Sequence, residues 1–466
     1  TIRNYTTDCK MTINGGTFTG VQGAVSASVG YLEINGGTFK TVKCVSDPSH
    51  TATFYALYAA GEVGKVKCVI NDGHFETEGQ YTAVLIGNDN DGGIHEEATG
   101  IINGGTFAAP EGVPALKGAE KTGDPQINGG TFSSDVSKYV SDDAGKMIED
   151  KDGNYVVKEY VAETGGEKYI YLQDAIDAAN GGTVTLVADT TESVEIPAGV
   201  EVTLDLGEFT LTNEAGKHTI TNRGTLTISG NGTVDNISHA RGALVNYGTA
   251  TMVGGTLTRS AEAGSSPTES GGNSWYVVDN NGGTMTVKGG TIVNTSGFSS
   301  LIRNLNATFN MEDGVLQNKF IALKNDDNGI IDMTGGTITT TGAGGSAVQN
   351  WGEFTMSGGE LNAPDDAKAI YALAWDDQYK KPTAVIRDGA VVNGDILVEV
   401  DTANSDGIAR PDLVIEGGDI NGDIEVGTDG DVVVDGGSVS GSVTSTNEGG
   451  TLKVSGGEFA VMPNSE

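Results

Sequence analysis

Ile13-Asn-Gly-Gly-Thr-Phe18 recurs letter for letter at 34–39, 102–107 and 127–132, and at 70–75 as Ile-Asn-Asp-Gly-His-Phe. A looser form fills the second half: Thr-Ile-Ser-Gly-Asn-Gly-Thr-Val at 227–234, Thr-Val-Lys-Gly-Gly-Thr-Ile at 286–292, Asp-Met-Thr-Gly-Gly-Thr-Ile at 332–338 and Lys-Val-Ser-Gly-Gly-Glu-Phe at 453–459. Each copy is an alternating β-branched segment, a glycine corner and a second short strand, usually led by Thr. Alternation puts one face inward and one outward. Glycine supplies backbone angles that residues with a Cβ avoid. Such a short unit cannot bury its own apolar face, but stacked on like neighbours at roughly 4.8 Å per layer it can. Copies recur mostly 19 to 36 residues apart, as expected if insertions bulge from one corner while the stack continues. The repeat therefore predicts an all-β fold, a right-handed parallel β-helix.

Composition narrows the partners. The 466 residues include 71 Gly but only 10 Pro, which with the absent Gly-X-Y period excludes collagen. Acidic residues number 63 against 27 basic, a formal net charge of −36. That field disfavours nucleic acid and anionic membranes, and polyanionic substrates unless calcium or a local basic cluster compensates. No apolar run is long enough for a transmembrane helix, so no membrane insertion is expected. Cys9, Cys44 and Cys68 cannot all pair internally, and with no Cys/His cluster they read as buried small apolar residues. The chain opens inside the pattern, which reads as part of a longer multi-module protein.

Asn222, Asn246, Asn281 and Asn350 each stand eight residues before the first glycine of their corner. Like residues at like positions in successive layers form a ladder whose amides hydrogen-bond from one layer to the next. Turn asparagines with left-handed backbone angles are the competing reading.

The strand rhythm lapses between about 133 and 180. Leu172, Ala175, Ile176 and Ala179 fall on one helical face, and Asn180-Gly181 is a stop signal. A helix at 172–180 would cover the open end of a second stack. The reading is a first β-helix module at 1–132 (its C-terminal part), a connector at 133–170 and a second module at 171–466. The stretch from Gly129-Gly-Thr-Phe through Tyr155-Val-Val157 to Leu172-Gln-Asp-Ala-Ile-Asp-Ala-Ala179 resembles modular surface proteins of gut Firmicutes, which string pectate-lyase-like β-helix modules together. That resemblance covers nearly the whole chain. It implies an extracellular, cell-surface or secreted setting and leaves activity open.

Catalytic signatures are sparse. The Asn-Thr-Asp and Gly-His-Gly motifs of polygalacturonase-like hydrolases are absent. Asp-Asp pairs at 142–143, 326–327, 365–366 and 376–377 fall in connectors and loops, and Arg387-Asp388 is the nearest imitation of a lyase carboxylate–base pair. The five histidines are scattered, and His74 replaces the Thr of a repeat. Asp89 and Asp91, within Gly87-Asn-Asp-Asn-Asp-Gly-Gly93, imitate part of a calcium loop but lack its first and twelfth ligands. Calcium is the one cofactor this leaves open, and none is required.

Three insertions carry aromatic residues: 46–62 with Phe54, Tyr55 and Tyr58; 259–279 with Trp275 and Tyr276; and 363–383 with Tyr371, Trp375 and Tyr379. Aromatic faces beside carboxylates suit sugar C–H faces and hydroxyls, and equally suit protein hot spots. The expectation is a non-catalytic adhesin-type module binding a host or dietary glycan, or a secreted host protein such as mucin or immunoglobulin. A polysaccharide lyase or glycoside hydrolase, and a passive spacer, are the alternatives.

Overall fold

The computed structural model describes residues 2–4, 9–43, 54–88, 96–141, 145–150, 152–179, 181–260, 276–295, 299–326, 328–374, 381–400, 410–446 and 449–465. The chain forms two compact units, 1–160 and 161–466. It is nearly all β, with one α-helix among the described residues and long parallel sheets compatible with a β-solenoid.

In the first unit each repeat supplies three strands, for example Val25–Ala27, Gly30–Ile34 and Thr38–Thr41. We call them the lead, pre-corner and post-corner strands. Each pairs in parallel with the corresponding strand of the next repeat, so Gly30–Ile34 aligns with Val66–Ile70, and that strand with Ala98–Ile102. Leu32, Ile34, Val66, Cys68 and Ile70 point into the core while their neighbours point out, the period of two that the sequence displays. The phenylalanine closing each motif stacks on its equivalent: Phe18, Phe39, Phe75, Phe107 and Phe132 lie 5.1, 4.8, 5.1 and 4.7 Å apart, with ring planes within 10° of parallel. Their motif asparagines form a parallel ladder at the exposed corner, Asn128 to Asn103 to Asn71 to Asn35 to Asn14, at 2.7–2.9 Å. The corner itself demands glycine. Gly37 has φ +115°, and a Cβ there would meet Gly16 O at 2.9 Å.

Residues 133–170, read as a connector, divide between the units. Tyr155–Lys158 pairs antiparallel with Gly130–Phe132 and with Lys146–Glu149, extending the first unit's post-corner sheet. Ala162–Thr164 and Glu167–Tyr169 form a hairpin at the edge of the second unit's large sheet. The helix Leu172–Ala179 follows, burying Leu172, Ala175 and Ile176. Glu192 accepts from the backbone N–H of Leu172 and Gln173 at 2.7 and 3.1 Å, which satisfies two donors at the positive helix end.

The second unit has a twelve-stranded lead sheet, from Val194–Ile196 to Asn464–Ser465, and a 24-stranded sheet joining its other strands. An in-register row of Met252, Val287, Met311, Met333 and Met356 fills the core beside the corners. On the lead strands runs a buried ladder: Asn222 to Asn246 to Asn280 to Asn304 to Asn325 to Asn350, each amide donating to the next at 2.7–2.9 Å. The member expected at Asn281 is Asn280. An extra residue, Gly282 with φ +72°, lengthens that turn and shifts the count from the corner by one. Asn304 and Asn325 escaped the offset rule for the same reason. The ladder is bounded by Ile196 and Ala372 at the equivalent positions.

Candidate ligand-binding face

Lead strands alternate, so the residue before each ladder asparagine faces away from the core. In the second unit these outward residues align as Asp279, Arg303, Lys324, Gln349, Tyr371 and Leu397. The position two residues further along each strand supplies a second row, including Asp326, Trp351 and Leu373, with Glu399 aligned to Leu373 on the adjoining strand. Strand spacing of roughly 4.8 Å brings each side chain within reach of the next.

The rows are tied together. Arg303 Nε donates to Asp326 Oδ2 at 2.7 Å, and Lys324 Nζ lies 3.2 Å from Oδ1 of the same carboxylate. Lys324 also sits 4.4 Å from the centroid of Trp351, and Arg303 stands 5.7 Å from that of Tyr276, geometries that favour cation–π attraction. Tyr371 donates its hydroxyl to Glu399 Oε1 at 2.6 Å. For an outward face these groups are unusually sheltered: Lys324, Trp351 and Tyr276 are 8% exposed and Asp326 4%.

Two acceptors in the outward row are not satisfied. Asp279 Oδ1 and Gln349 Oε1 are buried without a hydrogen-bond donor among the described residues, a state that costs about 1–3 kcal/mol for each group. Burial pushes the Asp279 carboxyl above its ordinary pKa; Arg303 opposes this and Asp326 reinforces it. Burial also works against the charge on Arg303, but its hydrogen bond to Asp326 and the neighbouring Tyr276 and Asp279 outweigh that and hold the guanidinium above its usual value.

Chemically, the face offers two cationic donors, two waiting acceptors and aromatic surface. Both oxygens of Asp326 are engaged by these cations.

Of the residues singled out in sequence, Tyr371 stands on this sheet and Tyr276 just before its strand Val278–Asn281. Trp275, Trp375, Tyr379, Asp89, Asp91 and Cys44 lie outside the described residues. Arg387 pairs with Glu416 at 3.0 Å on an exposed surface, away from this row. His74 lies 3.4 Å from Glu76. Among the described residues no group of three or more His, Cys, Asp or Glu could hold a metal ion, and no helix is long and apolar enough to cross a membrane. Sequence reasoning missed Asp279, Arg303, Lys324, Gln349 and Trp351. The usable signal was adjacency to the ladder, since the first four each immediately precede a ladder asparagine.

Comparison with protein-family models, with curated proteins and with solved structures yields no match to this chain.

Proposed function

We propose that the chain comprises right-handed parallel β-helix modules, pectate-lyase-like in build, of an extracellular bacterial surface protein, and that the second module binds a glycan without cleaving it. The observation that carries this reading is the pair of buried, unsatisfied acceptors, Asp279 Oδ1 and Gln349 Oε1, flanking Arg303 and Lys324 in the outward row. Sugar hydroxyls donate to such acceptors and accept from such cations, while sugar C–H faces pack on aromatic rings. A chain lying across the strands meets one outward side chain at each roughly 4.8 Å step, a repeat comparable with one pyranose. A host glycan, free or carried on a secreted protein such as mucin or immunoglobulin, fits this chemistry, as does a dietary polysaccharide.

The mutual pairing of Arg303, Asp326, Lys324 and Trp351 favours a second reading, in which the face is internal bracing and the module a spacer. A glycan array beside a pull-down from mucosal secretions separates the two, comparing wild type with an Asp279→Ala/Gln349→Ala double variant. Because neither acceptor oxygen has a hydrogen-bond donor among the described residues, removing them breaks no described hydrogen bond. Binding readings predict capture by wild type and roughly tenfold or greater loss in the variant, the worth of one hydrogen bond or more. No capture in either format sinks the binding reading, and capture that the variant retains moves the site elsewhere.

A further inference from the structure

The first unit has a cavity of its own, of about 340 Å³, on the outward side of its lead sheet. Its floor includes Leu85 and Lys117, outward neighbours in register on adjacent lead strands. Tyr55 and Tyr81 stand beside them, with Gln80, Thr82 and Asn88 completing the polar lining. The volume sits at the low end of the roughly 300–1,000 Å³ typical of ligand sites, enough for one sugar ring with a substituent.

The walls are braced rather than loose. Tyr81 stacks on Phe54 at 5.1 Å and meets Tyr55 edge-on at 5.7 Å, while Tyr55 stacks on Tyr58 at 5.3 Å. Asn88 is pinned by Thr122, whose hydroxyl accepts from its N–H at 2.9 Å and donates to its carbonyl at 3.0 Å. Rigid aromatic rings presenting a fixed face lose little entropy when a ligand packs on them.

The remaining polar groups are uncommitted. The hydroxyls of Tyr55 and Tyr81, the Gln80 amide and the Lys117 ammonium make no hydrogen bond with described residues, and Lys117 makes no ion pair with them. No acidic side chain is among the described residues lining the cavity. That is unusual in a chain with 63 acidic residues to 27 basic, where Lys10, Lys40 and Lys65 of this same unit each hold a glutamate.

We infer that this cavity is a second binding site, for a single pyranose bearing an anionic group, with a ring face on Tyr55 and Tyr81 and the anion on Lys117. It lies in the other unit from the Asp279–Gln349 row and stands or falls without it.

The test is titration of the full chain with glucuronate, N-acetylneuraminate, glucose 6-sulfate and glucose, read by ligand-observed NMR. At least one anionic sugar binds, with glucose roughly tenfold weaker, the scale of one charge-assisted hydrogen bond. The carboxylated and sulfated probes distinguish which anion the site takes. Lys117→Gln, an exposed change that leaves the fold intact, erases the preference, and Tyr81→Ala weakens every sugar. In the Asp279→Ala/Gln349→Ala background, which removes the other unit's row from the readout, the preference for the anionic sugar persists. Equal binding of glucose and the anionic sugars, an unaltered preference in Lys117→Gln, or no binding of any probe each overturns the inference.

Discussion

Replacing Asn304 by alanine removes the middle of the buried ladder. Its side-chain nitrogen donates to Asn325 Oδ1 at 2.9 Å and to the carbonyls of Ala307 and Ile330 at 3.1 Å, and its oxygen accepts from Asn280 at 2.8 Å. Asn325 Oδ1 then has no ladder donor, and Asn280 Nδ2 keeps Thr308 O but loses its ladder acceptor. Two buried amides stripped of a partner at about 1–3 kcal/mol each, inside a cooperative row, predict a loss of about 3–5 kcal/mol. Asn222 terminates the ladder and has one ladder neighbour, so Asn222→Ala loses less, about 1–2 kcal/mol. Asn281→Ala, outside the ladder, stays within about 0.5 kcal/mol of wild type. The assay is urea unfolding followed by tryptophan fluorescence. All three tryptophans, Trp275, Trp351 and Trp375, belong to the second unit, so the signal reports that unit alone. A fall in midpoint at unchanged slope gives the loss directly. If Asn281→Ala cost as much as Asn304→Ala, or Asn304→Ala less than about 1 kcal/mol, the ladder argument would be refuted.

Phe75→Ala, in the middle of the first unit's aromatic stack, costs about 3–5 kcal/mol in a thermal or urea melt of that unit, and a change near zero contradicts the stacking account. The raised Asp279 pKa means the folded chain holds that proton more tightly than the unfolded one. Its contribution to stability is therefore full below the unfolded carboxyl value and is lost as pH rises through the folded value. Asp279→Asn accordingly gains on wild type as pH rises through this window, and parallel pH–stability curves for the two would count against it. Burial pushes the Cys68 thiol up to about 12, so peptide mapping after brief alkylation at pH 8 finds Cys68 unmodified until the protein is unfolded.

Much of the stack is legible in the letters. The Ile-Asn-Gly-Gly-Thr-Phe motif contains the core strand, the exposed amide ladder, the corner that only glycine can turn and the stacked ring, because each layer solves the same packing problem identically. The second unit is harder to read. Its ladder members are separated by 24, 34, 24, 21 and 25 residues, and in one repeat Glu312-Asp313-Gly314 replaces the glycine pair. Residues added at corners preserve the stack but destroy a fixed count, so the spacing points to Asn281 where the register holds Asn280. The candidate face is harder still. Asp279, Arg303, Lys324 and Gln349 share no chemistry with one another, so no repeated letter marks the row. Only the register of the lead strands brings them together. The first unit's cavity draws on Tyr55, the adjacent Gln80 and Tyr81, and Lys117 from three repeats, and only the aromatic content of the 46–62 insertion hinted at it.

The most direct test of the account is a crystal structure of the full chain with an oligosaccharide captured on the array. The account predicts sugar laid across the second unit's lead sheet, with hydroxyls within about 3 Å of Asp279 Oδ1 and Gln349 Oε1. Sugar bound elsewhere, with those two oxygens still unpaired, would contradict it.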